Sequence, residues 1–168
     1  KSKAVSHGRL LKLEAHLRAE VEELIALGER ADQEELPEGL DIELEVAFRQ
    51  ARLVNLAQAK AVLEARAQER YQAEQAEYEA KLRAREEKAR QTGRKPRGRA
   101  PKPPVPGPRA KDQYNFTDPD SPIMKNSTNA GFDQHYNVQA GVDQASLLIV
   151  ANRVSNHAND KAEAIPTV

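Results

Sequence analysis

Only the acidic and basic side chains of this chain have a spacing that suggests chemistry. Asp118 and Asp120 flank Pro119 in Asp118-Pro119-Asp120-Ser121. Two carboxylates that close could share a divalent cation. The same residues also spell an ordinary turn, because Asp side chains bond to nearby backbone N–H groups, and the turn is the expected role. Asp143 opens Asp143-Gln144-Ala145-Ser146, a second turn signal where Asp is common. His7, His16, His135 and His157 are scattered without ligand spacing and read as surface or partly buried residues. No glycine-rich phosphate loop, nucleophile elbow or paired-cysteine motif occurs. No catalytic residue and no metal ligand is assigned within the chain.

The basic residues carry a clearer signal. Residues 93–111 hold seven Lys or Arg, six prolines, three glycines and no acid. Arg94, Lys95, Arg97, Arg99, Lys102, Arg109 and Lys111 could meet DNA phosphates, through contacts that ignore sequence and weaken with salt. The alternative is a solubilising linker. The formal net charge of zero hides this patch, because residues 1–92 are acidic overall.

The elements around these residues follow from apolar spacing. Leu10, Leu13, Leu17, Val21, Leu24 and Ile25 recur in steps that mark an amphipathic helix from Gly8 to Glu29, with Leu11 and Leu27 widening the stripe. Ser6 is placed to cap it, and Pro37-Glu38-Gly39 ends any helix. A second helix starts at Asp41, an N-cap with Glu43 and Glu45 in the first turn, where the helix dipole favours acids. Its stripe includes Val46, Leu53, Leu56 and Leu63, with Phe48 and Val54 beside it. The simplest packing is an antiparallel hairpin. Beyond Leu63 the pattern thins to Ala67, Tyr71, Tyr78 and Leu82, a solvated continuation that Thr92-Gly93 terminates. Residues 93–113 read as an extended, mobile linker.

After the linker, Tyr136, Val138, Ala140 and Val142 alternate with polar or small residues, as in a strand buried on one face. Leu147 to Val154 is a nearly continuous apolar run, as in a more deeply buried strand. The two form a β-hairpin around Asp143–Ser146. A lone hairpin is marginal in water, so these strands want a partner that the sequence does not provide. Lys161 to Ile165 looks like the start of a helix.

Composition narrows the class. Aromatics are 4% of the 168 residues and Trp is absent, which disfavours a large compact core. There is no cysteine, so disulfides and thiolate metal sites are excluded, in keeping with a cytoplasmic setting. No apolar run reaches the ~20 residues that span a bilayer, and the first residues lack the apolar core of a signal peptide. No membrane partner is expected. The expected architecture is mainly α with a small β element. It comprises a helical hairpin over 1–92, a Pro/Arg/Lys-rich linker over 93–113 and a partial β domain over 114–168.

One block is specific enough to suggest a family. Asn115-Phe-Thr-Asp-Pro-Asp-Ser121, Met124-Lys125, Gly131-Phe132, Tyr136-Asn-Val-Gln-Ala140, Val142-Asp143, Leu148-Ile-Val-Ala151 and Asn159-Asp-Lys161 together resemble the DDE transposases of bacterial insertion sequences. The resemblance is to the branch whose ribonuclease H-like catalytic domain carries a long helical insertion. Lys1 to Leu10 resembles the stretch just after the first catalytic Asp of that branch. The resemblance implies an enzyme in which three carboxylates hold two Mg2+ or Mn2+ ions for phosphodiester cleavage and strand transfer. It places the first Asp before Lys1, and the second Asp and the Glu beyond Val168. On that register the chain is an interior fragment with the insertion and the second and third sheet strands, without the metal ligands. It further implies DNA as partner and a nucleoid-associated, cytoplasmic location. Pro122 stands where the family usually has Arg, so any contact from that Arg is lost here. The competing reading is a non-enzymatic helical-hairpin adaptor with a basic tail, joined to partners or to a second copy through the Leu10 to Leu63 stripes.

Overall fold

The computed structural model describes residues 4–30, 39–94, 96–125, 131–157, 160 and 163. In chain order the elements are β1 (Ala4–Ser6), α1 (His7–Arg30), α2 (Ile42–Thr92), β2 (Gln113–Asn115), β3 (Ile123–Lys125), β4 (Phe132–Gln134), β5 (Asn137–Val142) and β6 (Ile149–Ser155). They form two compact units. One runs continuously over Ser6–Asp112; the other joins Lys1–Val5 to Gln113–Val168. In chain order, the helical unit is therefore an insertion within the β unit.

Both helices begin where their capping residues predict. The Ser6 hydroxyl accepts the Arg9 N–H at 3.4 Å at the start of α1. Asp41 holds an extended backbone, and its carboxylate accepts the Leu44 N–H at 2.9 Å. That contact satisfies one of the donors a helix start leaves open. At the far end, Gly93 takes the left-handed conformation (φ 61°) that closes α2. Residues 31–38, including Pro37 and Glu38, lie outside the described residues.

The hairpin is antiparallel. Glu14 pairs with Lys60 at 3.7 Å and Glu20 with Arg49 at 2.9 Å, so partners descend along α2 as α1 ascends. Its core is narrow. Leu10 and Leu17 of α1 are buried, as are Leu56, Ala59, Leu63 and Ala67 of α2. Each Leu buried in this way contributes about 1.5–3 kcal/mol. The two alanines allow close approach of the helices at positions where a larger side chain would hold them apart. Phe48 and Val54, expected at the edge of the stripe, are 67% and 56% exposed. α1 has 24 residues and α2 has 51, or about 36 Å against about 76 Å at 1.5 Å per residue. About half of α2 thus runs beyond the reach of α1.

The β unit contains three two-stranded sheets, β1–β2, β3–β4 and β5–β6. The largest is the predicted hairpin. β5 and β6 are antiparallel, with Val138 opposite Val154 and Gln139 opposite Arg153, and a bulge falls between Gly141 and Val142. β6 starts later than the apolar run suggests, because Leu147 and Leu148 belong to the turn. The Asp143 carboxylate accepts both the N–H and the hydroxyl of Ser146. Asp143 then donates its N–H to the Leu148 carbonyl at 2.9 Å, and Leu147 takes a positive φ of 58°. Contrary to expectation, β6 is not deeply buried, and the apolar face of β5, Val138, Ala140 and Val142, is exposed rather than covered. Ile149, Val150 and Val154 are 63–70% exposed, and with Val138 and Val142 they make an open apolar surface. The helix start expected at Lys161–Ile165 lies outside the described residues except for Glu163.

Candidate nucleic-acid interface

The proline-rich segment does not leave the helical unit. It turns at Gly93 and runs back along α2 as an arm held at two points. Near the tip, the two terminal nitrogens of Arg85 donate to four successive carbonyls, those of Pro96, Arg97, Gly98 and Arg99, at 3.3–3.5 Å. Gly98 has φ 89°, a conformation that side chains rarely tolerate. That turn lets consecutive carbonyls face one guanidinium. Farther down, Arg70 donates to the Gly107 carbonyl at 3.3 Å and to the Asp112 carboxylate at 2.9 Å. The Asp112 carbonyl accepts the His7 N–H at 2.7 Å, and the Ala110 carbonyl accepts the Gly8 N–H at 3.2 Å.

The geometry of the two attachments is consistent. Arg70 and Arg85 are 15 residues apart, about 22 Å along an α-helix. Gly98 to Gly107 is nine residues, about 28 Å as polyproline II at 3.1 Å per residue. An extended arm with slight slack therefore spans the interval. Its bed is the continuation of the α2 stripe. Ala67, Arg70, Glu74, Tyr78, Leu82, Arg85 and Ala89 recur at steps of three and four, with Tyr71 beside them, and all are buried or half-buried. α1 covers the first part of that stripe and the arm covers the second.

Asp112 anchors the lower attachment electrostatically. Burial tends to raise its pKa, but the Arg70 hydrogen bond, the Arg109 N–H and both guanidinium charges outweigh this, so the carboxyl titrates below its ordinary range. The Arg109 N–H donates to it at 2.8 Å.

The structure separates the predicted basic residues. Arg94, Arg97, Arg99, Lys102 and Lys111 are exposed. Among the described residues none of these five has an acidic partner within ion-pair distance. Arg109 is exposed too, but its guanidinium is tied to Glu74 at 2.6 Å. Lys95 lies outside the described residues. Two open hollows flank the arm. One, of about 550 Å³, is bordered by Glu74, Glu77, Tyr78, Lys81 and the Arg99–Val105 stretch with Arg109. The other, of about 770 Å³, is bordered by Arg85, Lys88, Thr92, Arg94, Pro96 and Arg97. Arg70, Arg85 and Lys88 carry this architecture or border these hollows, and sequence reasoning did not single them out. The available signal was that Arg70 and Arg85 fall on the apolar stripe itself, where a solvated helix would not need them.

The acidic candidates behave as turn residues. The Asp118 carboxylate accepts the Asp120 N–H at 3.2 Å and the Tyr136 hydroxyl at 2.7 Å, which raises the pKa of that phenol. Asp143 is held below its ordinary pKa by the Ser146 hydroxyl and N–H. The histidines stay apart: His16 pairs with Glu20 at 3.1 Å, and His157 lies 2.6 Å from Glu163. The His157 hydrogen bond lowers the Glu163 pKa; burial opposes the shift, and Ser155 and Arg153 add to it. Among the described residues no three His, Asp or Glu side chains converge as a metal site would require, and no helix is long and apolar enough to cross a membrane. Comparison with protein-family models, curated proteins and solved structures finds no match.

Proposed function

We propose that this chain is an interior portion of a DDE transposase, whose parent cuts and joins DNA with divalent metal ions, and that its basic arm meets the DNA backbone. One observation carries the reading. The helical unit Ser6–Asp112 is inserted between two pieces of a single β unit, and β1 pairs with β2 across the two ends of that insertion. A long helical insertion in a catalytic domain is the arrangement that the motifs from Asn115 to Lys161 imply. The open face of β5–β6 supports it further. Apolar residues 51–70% exposed on a two-stranded sheet fit a hairpin built to extend a larger, ribonuclease H-like sheet. Catalysis then belongs to carboxylates outside this chain, and Mg2+ or Mn2+ to the complete enzyme in a bacterial cytoplasm. The test is to read the encoding DNA outward. A strand ending in Asp upstream, and an Asp and a Glu downstream, are expected. A start codon at Lys1 with a stop after Val168 would refute the proposal.

A second reading has its own observation. Leu44 and Phe48, 66% and 67% exposed in the first turns of α2, offer a surface for a second copy of the hairpin, as an adaptor protein would use. Sedimentation showing a tight dimer without DNA affinity at low salt selects that reading.

A further inference from the structure

The two hollows beside the arm differ in electrostatic character. In the first, Glu74 neutralises Arg109 at 2.6 Å and Glu77 neutralises Lys81 at 2.5 Å, which leaves Arg99 and Lys102. Among the described residues, the second is bordered by four cations, Arg85, Lys88, Arg94 and Arg97, and by no acid. The Arg85 charge is solvated by carbonyl oxygens but not cancelled. Four positive charges gathered around one concavity repel one another, and an anion seated among them relieves that repulsion. Two of the four come from the last turns of α2 and two from the arm, so the hollow exists only while the arm is docked.

We propose that this hollow at the end of α2 seats the backbone phosphates of a nucleic acid. The proposal deepens the DNA reading above and rests on it: it places the contact at the α2 tip rather than evenly along the arm. The chemistry of the border indicates the ligand. Guanidinium groups match phosphate oxygens in pairs. Among the described residues, the border has no aromatic side chain for bases to stack on. Recognition is therefore of charge and spacing, without sequence. The last turn of a helix also attracts cations through its dipole, which would gather Lys88 and Arg94 without any ligand. The test must separate these roles.

The full chain is titrated into a fluorescent 20-bp duplex by anisotropy at several salt concentrations. The triple variant Lys88→Gln, Arg94→Gln, Arg97→Gln is compared with a control of equal charge change at exposed positions of the hairpin, Lys12→Gln, Arg18→Gln, Arg52→Gln. Each lost phosphate contact lowers the slope of log K against log salt by about 0.9. The hollow variant is expected to lose about 2.7 of slope, and the control almost none. Arg94→Lys with Arg97→Lys should keep the slope. Equal losses in hollow variant and control, an unchanged slope in the hollow variant, or competition by polyglutamate as strong as by DNA would overturn the proposal. So would wild-type chain that does not bind at low salt. A drop in thermal stability with the slope intact would assign the cations to the helix terminus alone. The readout is binding by this chain, so its failure leaves the transposase reading to the coding sequence, and the reverse holds equally.

Discussion

Removing the Arg85 clasp should free the upper half of the arm while the helical hairpin stays folded. The clasp consists of four hydrogen bonds from one guanidinium at 3.3–3.5 Å, three of them exposed. A well-formed bond to a charged group contributes about 1.5–3 kcal/mol. These are long and largely solvated, so about 0.3–0.5 kcal/mol each is appropriate, or about 1–2 kcal/mol together. That corresponds to a roughly 5–30-fold rise in the open population of the arm for Arg85→Ala. The native chain contains no cysteine, so spin labels at the exposed positions Ala84→Cys and Ala100→Cys, beside the Arg85 clasp, report the distance between the upper arm and the helix without interference. The unmodified clasp should give one narrow, short distance. Arg85→Ala should add a broad, longer component, and Arg85→Ala with Arg70→Ala should make that component dominant. Helical content should be unchanged, because the buried Leu10, Leu17, Leu56 and Leu63 are untouched. A narrow and unshifted distribution in the double variant would refute the assignment of these two arginines as the holding contacts.

Three further outcomes follow from the structure. Asp112 titrates below its ordinary range, so the stability it lends is present at neutral pH and is lost only as pH falls through that lowered pKa, below about pH 4. A second label pair beside the lower attachment, Gln72→Cys with Val105→Cys, should therefore report a docked arm from neutral pH to about pH 4 and release below it, with Asp112→Asn already loosened and flat with pH; release between pH 5 and 7 would contradict this. Leu63→Ala removes a side chain that is 3% exposed at the helix interface and should cost about 2–5 kcal/mol in chemical unfolding. Phe48→Ala, at a position 67% exposed, should cost under about 0.5 kcal/mol, and a larger loss would show that Phe48 is covered in solution.

The parts legible in the sequence are those set by local rules. Asp41 and Gly93 bound α2 because one accepts an N–H and the other tolerates a left-handed φ, and both are visible as residue types at the ends of a periodic run. The β5–β6 pairing was visible in the alternation from Val138 to Val142. Ala59 and Ala67 were not recognised as core because alanine is a weak apolar signal; their places at steps of three and four from Leu56 and Leu63 are what bury them. β1, β2, β3 and β4 are three residues each, too short for a period to show. The docked arm was the largest surprise. Its proline and glycine content signals an inability to form helix or sheet, and says nothing against lying in an extended form on another surface. Recognising that required reading Arg70, Tyr78, Leu82 and Arg85 as a stripe in search of a cover. The basic residues were legible as a charge run, whereas their division into a paired Arg109 and an uncompensated Arg94 and Arg97 depends on where Glu74 and Lys88 sit.

The central claim, that this chain belongs to a metal-dependent DNA-joining enzyme whose reactive acids lie outside it, is tested most directly in the protein made from the complete reading frame. Strand transfer would be measured on linear DNA with Mn2+, comparing that protein with its Asp118→Asn, Asp120→Asn, Asp143→Asn triple variant. The prediction is that joined products form in both, within about tenfold of each other, because these three carboxylates serve turns. No joining by the intact protein, or joining abolished by the triple variant while its fold is retained, would contradict the claim.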